Sequence, residues 1–596
     1  MSYNGSREAR RRRKRRRRIL QAVIPVAVAM ILIGVILLVA QSTGLFEDWG
    51  YSDKKANLNE YFNTTSDDTA SVVENGAVTD KKIKVKDGRL YVPYEEVIEN
   101  YNENFYWEAS SGRLLYTTGD GVYAAVPGDN YYSLEGNGIQ SGYPACYTEG
   151  ETLMVCLDYV RVFTNFEYRL FGGVKGEPYR VEVKTQWGSE SVADVAKDDV
   201  AIRTKPEKEG EILKELRKGS TVVIIDGGTD ADKWKKVMSE DLLTGYIEAK
   251  HLGDPYERQE TAVSDVSPVT VTPVADYSAP VVLAWHNVTG DSSTSSLKDN
   301  ERFLSYINTI SPTWFALSDN EGTVESIASS SYVETCHSKG IKVWGLVSNL
   351  TYPDVSLSAV LNDPAKREYV TEQLLGYAAQ YSLDGINIDF ESVAAEDGPA
   401  YIQFIREFTL KAHAKNLVVS VDNYVPKEYT THYNRKEQGV FADYVIIMGY
   451  DEHTSVSEEA GSVASIDFVR EGIENTLADV PKEKVVNALP FYVRLWKVDE
   501  NGSIQDIQTV PMARGVEAVN AAGATAEWDD GTGQDYAEWT ADGGINKIWL
   551  EDVKSIRVKL DAMKDNDIGG AAVWQLAFGT DEAFQAIDEY FSPQAQ

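Results

Sequence analysis

The stretch Leu383 to Val393, LDGINIDFESV, sets Asn387, Asp389 and Glu391 at every second position between large apolar residues. In a strand, alternate side chains point to opposite faces, so these three share one side while Ile386, Ile388 and Phe390 share the other. In a closed parallel barrel the apolar set would meet the surrounding helices and the polar set would enter the barrel. Glu391 then falls at the C-terminal end of the strand, where barrel active sites are built. Two carboxylates and an amide are costly there unless they bond to one another and to something bound. Close acidic neighbours also favour keeping one proton, which suits a general acid. A structural hydrogen-bonded cluster and a divalent metal site are the competing readings. Asp-x-Glu on one strand end offers few ligands and no His joins it, so no metal is expected.

Around this stretch, apolar β-rich runs alternate with amphipathic segments from near Pro280 to the end: VVLAWHNV, SPTWFALS, KVWGLVSN, DGINIDFE, LVVSVDNY, YVIIMGYD, VVNALPFY and GAAVWQLA. Intervening segments such as AKREYVTEQLLGYAAQY have helical periodicity. Eight strands separated by helices predict a (β/α)8 TIM barrel over residues 279–596. An open doubly wound sheet shows the same alternation, but no Gly-rich phosphate loop follows the first run. The long segment Val498 to Asn546 before the last strand suggests a lid or cleft wall.

The 596-residue chain is too long for one core. Its formal charge of -34 hides an asymmetry: residues 7–18 carry a net +9, which leaves about -43 on the rest. A body that acidic repels nucleic acid, so the basic run reads as an address and no nucleic-acid partner is expected. After this 1–18 tail, Ile19 to Ala40 is free of charge and long enough to cross a bilayer as a helix, predicting a transmembrane segment over 19–41. The positive-inside rule puts the tail in the cytoplasm and the remainder outside, as a single-pass cell-membrane protein. A cleaved signal peptide is the alternative, against which stands the length of the apolar run. Residues 42–80 are polar and read as a stalk. Three cysteines do not make a disulfide framework, although Cys146 and Cys156 are near enough in sequence to bridge. Cys336 sits in a helical pattern as a small buried residue.

Within 81–190, GRLYVPYEEVIENYNENFYWEASSGRLLYTTGDGVYAAVPG is loosely echoed by ETLMVCLDYVRVFTNFEYRLFGGVKGEPYRVEV, each leading from a short strand into a short helix. The pair resembles the α+β repeat named after the N-terminal domain of copper amine oxidases, without a His cluster to hold copper. Residues 191–253 alternate in short runs with Gly-marked turns and are similar to a bacterial SH3-like β-barrel, a module that binds wall peptides or serves as a spacer. Pro/Thr/Val-rich 254–278 is an extended linker.

Asp384-Gly385-Ile386-Asn387-Ile388-Asp389-Phe390-Glu391 resembles the DGxDxDxE signature of glycoside hydrolase family 18, the chitinase family. IMGYDEH supplies the M-x-Y-D pattern as Met448, Tyr450 and Asp451, NALPFYVR resembles the seventh-strand segment, and AAVWQL supplies Trp574. SPTWFALSD and KIWLEDVKSI resemble the branch acting on bacterial walls and spore cortex. The resemblance implies retaining hydrolysis assisted by the substrate, an exception to the two-carboxylate scheme. Glu391 would protonate the leaving oxygen, then serve as base toward water. Asp389 would hold the N–H of the sugar's 2-acetamido group while its oxygen attacks the anomeric carbon. Tyr450 would bond that oxygen, and Trp574 would form the apolar floor. Asp451, Tyr492, Asn387 and Met448 are expected as substrate-binding contacts. Trp285, His286, Asn423 and Arg494 lie near strand ends and are as readily structural. No cofactor is required.

One departure is Asn387, where the family has an acid that shares a proton with the next aspartate. An amide can donate to Asp389 but cannot share a titrating proton. The chain thus reads as a membrane-anchored glycosidase of peptidoglycan or chitin-like N-acetylglucosamine polymers, held to the wall through its SH3-like domain. A catalytically idle barrel acting as a wall-glycan lectin or scaffold is the alternative; loss of Glu391 or Asp389 would have favoured it, and both are present.

Overall fold

The computed structural model describes residues 5–42, 50–64, 66–174, 176–226, 233–262, 265–290, 293–541 and 543–591. Two compact units divide the chain, and neither is continuous in sequence. One comprises Met1–Val92 and Cys156–Val266, the other Pro93–Val155 and Ser267–Gln596.

The second unit contains the barrel. Its strands are β1 (Val281–His286), β2 (Thr309–Leu317), β3 (Lys342–Ser348), β4 (Gly385–Asp389), β5 (Val418–Tyr424), β6 (Tyr444–Met448), β7 (Val485–Pro490) and β8 (Gly570–Trp574). Neighbours run parallel, and the ring closes because β1 pairs with both β2 and β8. The eight apolar runs of the sequence are these strands. Both of their faces are covered, which is why they read as nearly unbroken apolar stretches. Leu283, Trp285, Trp344, Leu346, Ile446, Val486 and Ala572 fill the interior. Ile386, Ile388, Phe390, Val419 and Val421 join the outer core beneath the helices, as the alternation in β4 predicts.

Local signals set the start of β4. The preceding helix, Pro364–Tyr381, opens with Asp363 accepting from the N–H groups of Ala365 and Lys366, has Pro at its first position, and ends on Ser382 in the left-handed region. Asp384 then accepts from the Val343 N–H at 2.7 Å and pairs with His337 at 2.8 Å. At Gly385 a Cβ would lie 2.6 Å from the Val418 carbonyl oxygen, so only glycine permits this approach of β4 to β5.

Between β7 and β8 the expected lid or wall is a folded α+β module. Strands Tyr492–Val498, Ile504–Pro511, Glu527–Asp529, Gln534–Ala541 and Gly544–Leu550 form an antiparallel sheet with helix Met512–Ala521, around Val493, Val519, Ala537, Ile548 and Leu550. Its first strand supplies Tyr492 and Arg494.

The barrel unit also includes residues 93–155, with the antiparallel meander Tyr106–Gln140. Its contact with the barrel helices is polar and buried. Glu108 pairs with Arg367, both essentially without exposure, and Arg367 Nε donates to Glu407 at 3.1 Å. Arg406 donates to Asn104 Oδ1 at 3.0 Å and pairs with Glu437.

The other unit differs from the expectations in three respects. The two echoing segments do place a strand before a short helix, Arg89–Pro93 before Tyr94–Asn100 and Thr152–Cys156 before Leu157–Val160. Their helices nevertheless belong to different units. The predicted stalk is structured beyond residues 43–49, which lie outside the described residues. Tyr51 OH donates to Glu248 Oε2 at 2.7 Å, Phe62 is fully buried, and Thr69–Glu74 pairs with Ala77–Lys86. The apolar residues of that hairpin are too few to stand out from the polar composition. Lastly, Gly5–Ser42 is one helix containing the predicted span. The side chains of 19–22, 37, 40 and 41 lie outside the described residues, and among those described no helix is long and apolar enough to cross a membrane.

Seven strands, from Ser189–Asp194 to Tyr256–Gln259, form an antiparallel sheet whose last strand lies inside the predicted linker. Farther along the linker, Val274 and Ala275 donate to Asp443 Oδ1 at 2.8 and 3.0 Å, fastening it to the barrel. All three cysteines are free and buried, so Cys146 and Cys156 are not bridged.

Candidate active site

Asp389 ends β4 and Glu391 follows two residues later, near enough for its charge to act on Asp389. Asn349 fixes the Glu391 backbone from both ends: its Oδ1 accepts from the Glu391 N–H and its Nδ2 donates to the Glu391 carbonyl, each at 2.9 Å. Ser392 follows in the left-handed region and donates to Tyr424 OH at 3.3 Å. The Tyr424 hydroxyl also hydrogen-bonds the Glu391 carboxylate.

The electrostatics favour protonated acids. Burial, reinforced by the charge of Glu391, pushes the Asp389 carboxyl well above the usual carboxylate range. Burial also raises Glu391; the Tyr424 hydrogen bond opposes the rise and the charge of Asp451 adds to it. The two acids titrate as a pair. Because a hydrogen bond to the ionised form lowers a carboxyl pKa, Tyr424→Phe should leave Glu391 protonated to higher pH. The alkaline limb of kcat/KM should move up by about one pH unit. A pH profile of the variant checks this; an unmoved limb would refute the Tyr424–Glu391 coupling.

Asp451, just past β6, accepts from Tyr492 OH at 2.5 Å and from Arg494 NH1 at 2.8 Å. Tyr450 lies edge-on to Tyr492 with ring centroids 6.0 Å apart, and its phenol is raised by burial and then by Tyr492, Asp389 and Asp422. Met448 ends β6 in register with Tyr424. Trp574 ends β8, edge-on to Trp285 at 6.1 Å. The strand ends therefore gather Asp389, Glu391, Met448, Tyr450, Asp451, Tyr492 and Trp574 at one face of the barrel, while Asn387 lies within it, midway along β4.

Asn387 is fully buried, and its partners differ from the expectation. Trp285 Nε1 and Ser311 Oγ donate to its Oδ1 at 2.8 and 3.0 Å; its Nδ2 donates to Ser420 Oγ at 3.0 Å and Asp422 Oδ1 at 2.8 Å. It therefore turns toward β5, and no donation to Asp389 is among its bonds. Sequence reasoning missed Asp422 and Tyr424, naming their neighbour Asn423 instead. Asn423 faces outward, exchanging two hydrogen bonds with the Gln438 amide at 2.7 and 3.0 Å. His286 is also outside the site: it is buried against Tyr332 OH at 2.8 Å, and burial lowers its pKa to about 4.

A parallel eight-stranded barrel with one acid ending the fourth strand and another just beyond it, a Tyr-Asp pair after the sixth and a tryptophan ending the eighth has the layout of a glycoside hydrolase. The family model for glycosyl hydrolases family 18 matches residues 260–579, and the chain belongs to that family. Residues 72–168 match the copper amine oxidase N-terminal domain. The chain is 28% identical to the uncharacterized glycosylase YvbX of Bacillus subtilis over 312 residues, 50% of this chain and 88% of that protein. With the cortical fragment-lytic enzyme of Bacillus subtilis it shares 23% identity over 254 residues, 41% of this chain and 58% of that enzyme. Among solved structures, the spore cortex-lytic enzyme SleL of Bacillus cereus aligns with 20% identity and a TM-score of 0.49, covering 56% of this chain and 80% of that one.

Proposed function

We propose that the enzyme cleaves β-linked N-acetylglucosamine polymers, peptidoglycan in particular, with retention and with the substrate's own acetamido oxygen as nucleophile. The observation carrying this is the placement of two partly buried, interacting acids at one strand end, Asp389 as the last residue of β4 and Glu391 two residues beyond it. The charge of Glu391 acts on Asp389, so the two acids sit together where a sugar would lie across the strand end. Glu391, whose hold on its proton is strengthened by burial, can deliver that proton to the glycosidic oxygen. Asp389 is a poor nucleophile where burial and Glu391 oppose its ionisation. It is well suited to accept from the acetamido N–H and to take negative charge as the oxazolinium forms. Tyr450 would bond the acetamido oxygen from the β6 side, and Trp574 would supply the ring on which the sugar lies. No metal or organic cofactor is called on in these steps.

The name of the cortical fragment-lytic relative supports peptidoglycan as substrate. We place the catalytic unit outside the cell, tethered by the N-terminal helix. The charge-free run and the row of exposed apolar side chains that includes Val23, Ile24, Met30, Ile31, Leu32 and Ile36 support this. The 191–253 region would hold the wall.

The mechanism is tested with a thiazoline mimic of the oxazolinium and by NMR of fresh product. Competitive inhibition and initial release of the β-anomer are expected; an α-anomer, or no inhibition at saturating thiazoline, would overturn substrate assistance.

A further inference from the structure

Asn387 has no hydrogen-bonding capacity left for Asp389. Its oxygen takes two donors, Trp285 and Ser311, and its two N–H groups go to Ser420 and Asp422. A residue that moves Asp389 between protonated and ionised states must therefore lie elsewhere. Asp422 is 2 % exposed, and among the described residues no cation pairs with it. It projects into the barrel beside Asn387, because Val419 and Val421 of the same strand face outward. The titratable groups around it are Asp389 and Glu391 on and just after β4, Tyr450 after β6, and Tyr401 of the helix behind.

We infer that Asp422 is the proton-holding partner of Asp389, so that the acid the family pattern puts at position 387 stands on β5 instead, with Asn387 as the amide that positions it. The inference rests on Asp389 acting on the acetamido group. When that group engages, Asp389 gives up its proton, the Asp422 carboxylate takes it, and no other group changes charge. Asp389 then faces the oxazolinium as the anion while Asp422 is neutral. Burial and the charge of Asp389 both raise the Asp422 carboxyl, consistent with one proton shared between the two. Asp422 is thus a positioning residue, one that acts through Asp389 without touching the sugar.

The test uses the full chain with N-acetylglucosamine oligomers and compares wild type, Asp422→Asn, Asn387→Asp and the exchange Asn387→Asp/Asp422→Asn. Asp422→Asn keeps the shape and the hydrogen bond with Asn387, so it should fold, which its thermal midpoint verifies. Its kcat should fall by about 10²-fold with KM little changed, and its acidic limb should shift. The exchange should recover most of that loss, because it returns a titrating acid to the pair from the other strand. An Asp422→Asn variant with wild-type kcat and pH profile overturns the inference. So does a folded exchange variant as inactive as Asp422→Asn, since the requirement would then be for the shape of β5 rather than for the proton. Thiazoline inhibition of wild type is measured in parallel: a resistant enzyme overturns substrate assistance and this inference with it, whereas a sensitive enzyme with an indifferent Asp422→Asn variant overturns this inference alone.

Discussion

Replacing Glu391 by Gln is expected to lower kcat on peptidoglycan and N-acetylglucosamine oligomers by about 10²–10⁴-fold, the range contributed by a positioned acid–base group, with little change in KM. The amide is nearly isosteric with the carboxyl. Asn349 holds residue 391 through main-chain atoms only, so the strand end should keep its shape. Under the proposed mechanism, what is lost is the proton for the leaving oxygen and the base for water. Reducing ends released by the full chain give the measurement. Equal release by wild type and variant, with binding intact in both, would instead favour a glycan-binding barrel without turnover.

The second large effect concerns stability. Glu108 and Arg367 form an ion pair with side-chain exposures of 0% and 1%, linking the 93–155 segment to a barrel helix. Glu108→Ala leaves the guanidinium buried with Glu407 as its remaining carboxylate partner, beside the Leu361 carbonyl. Breaking such a pair from one side costs about 3–5 kcal/mol, whereas replacing both members by apolar residues is often neutral. Chemical denaturation should show the full loss in Glu108→Ala and substantial recovery in Glu108→Leu/Arg367→Met. A wild-type midpoint for Glu108→Ala would mean that the segment unfolds independently of the barrel.

The barrel and the acid pair were legible because β4 alternates under two constraints at once, apolar toward the helices and polar toward the interior. The same rule was available in β5. Ser420, Asp422 and Tyr424 alternate as Asn387, Asp389 and Glu391 do, and following that parity would have selected Asp422 over Asn423. Tyr492 and Arg494 could be named, but their delivery to Asp451 depends on a folded module whose sheet is made by pairings that the run from Val498 to Asn546 does not announce. The membership of 93–155 in the barrel unit was not legible at all. It depends on buried polar pairs between residues as far apart as 286 positions, and polar residues carry no periodic mark of their partners.

That docking has a consequence for proteolysis. A protease nicking the described linker residues between Val266 and Val274 would cut the chain without freeing an intact catalytic unit. The fragment beginning there would lack Glu108 and Asn104 and would expose Arg367 and Arg406, now screened by them. Releasing the whole unit takes additional cuts near Val92 and Val155. The C-terminal product of a single cut there would therefore be either a damaged barrel or one that keeps 93–155 by noncovalent attachment alone.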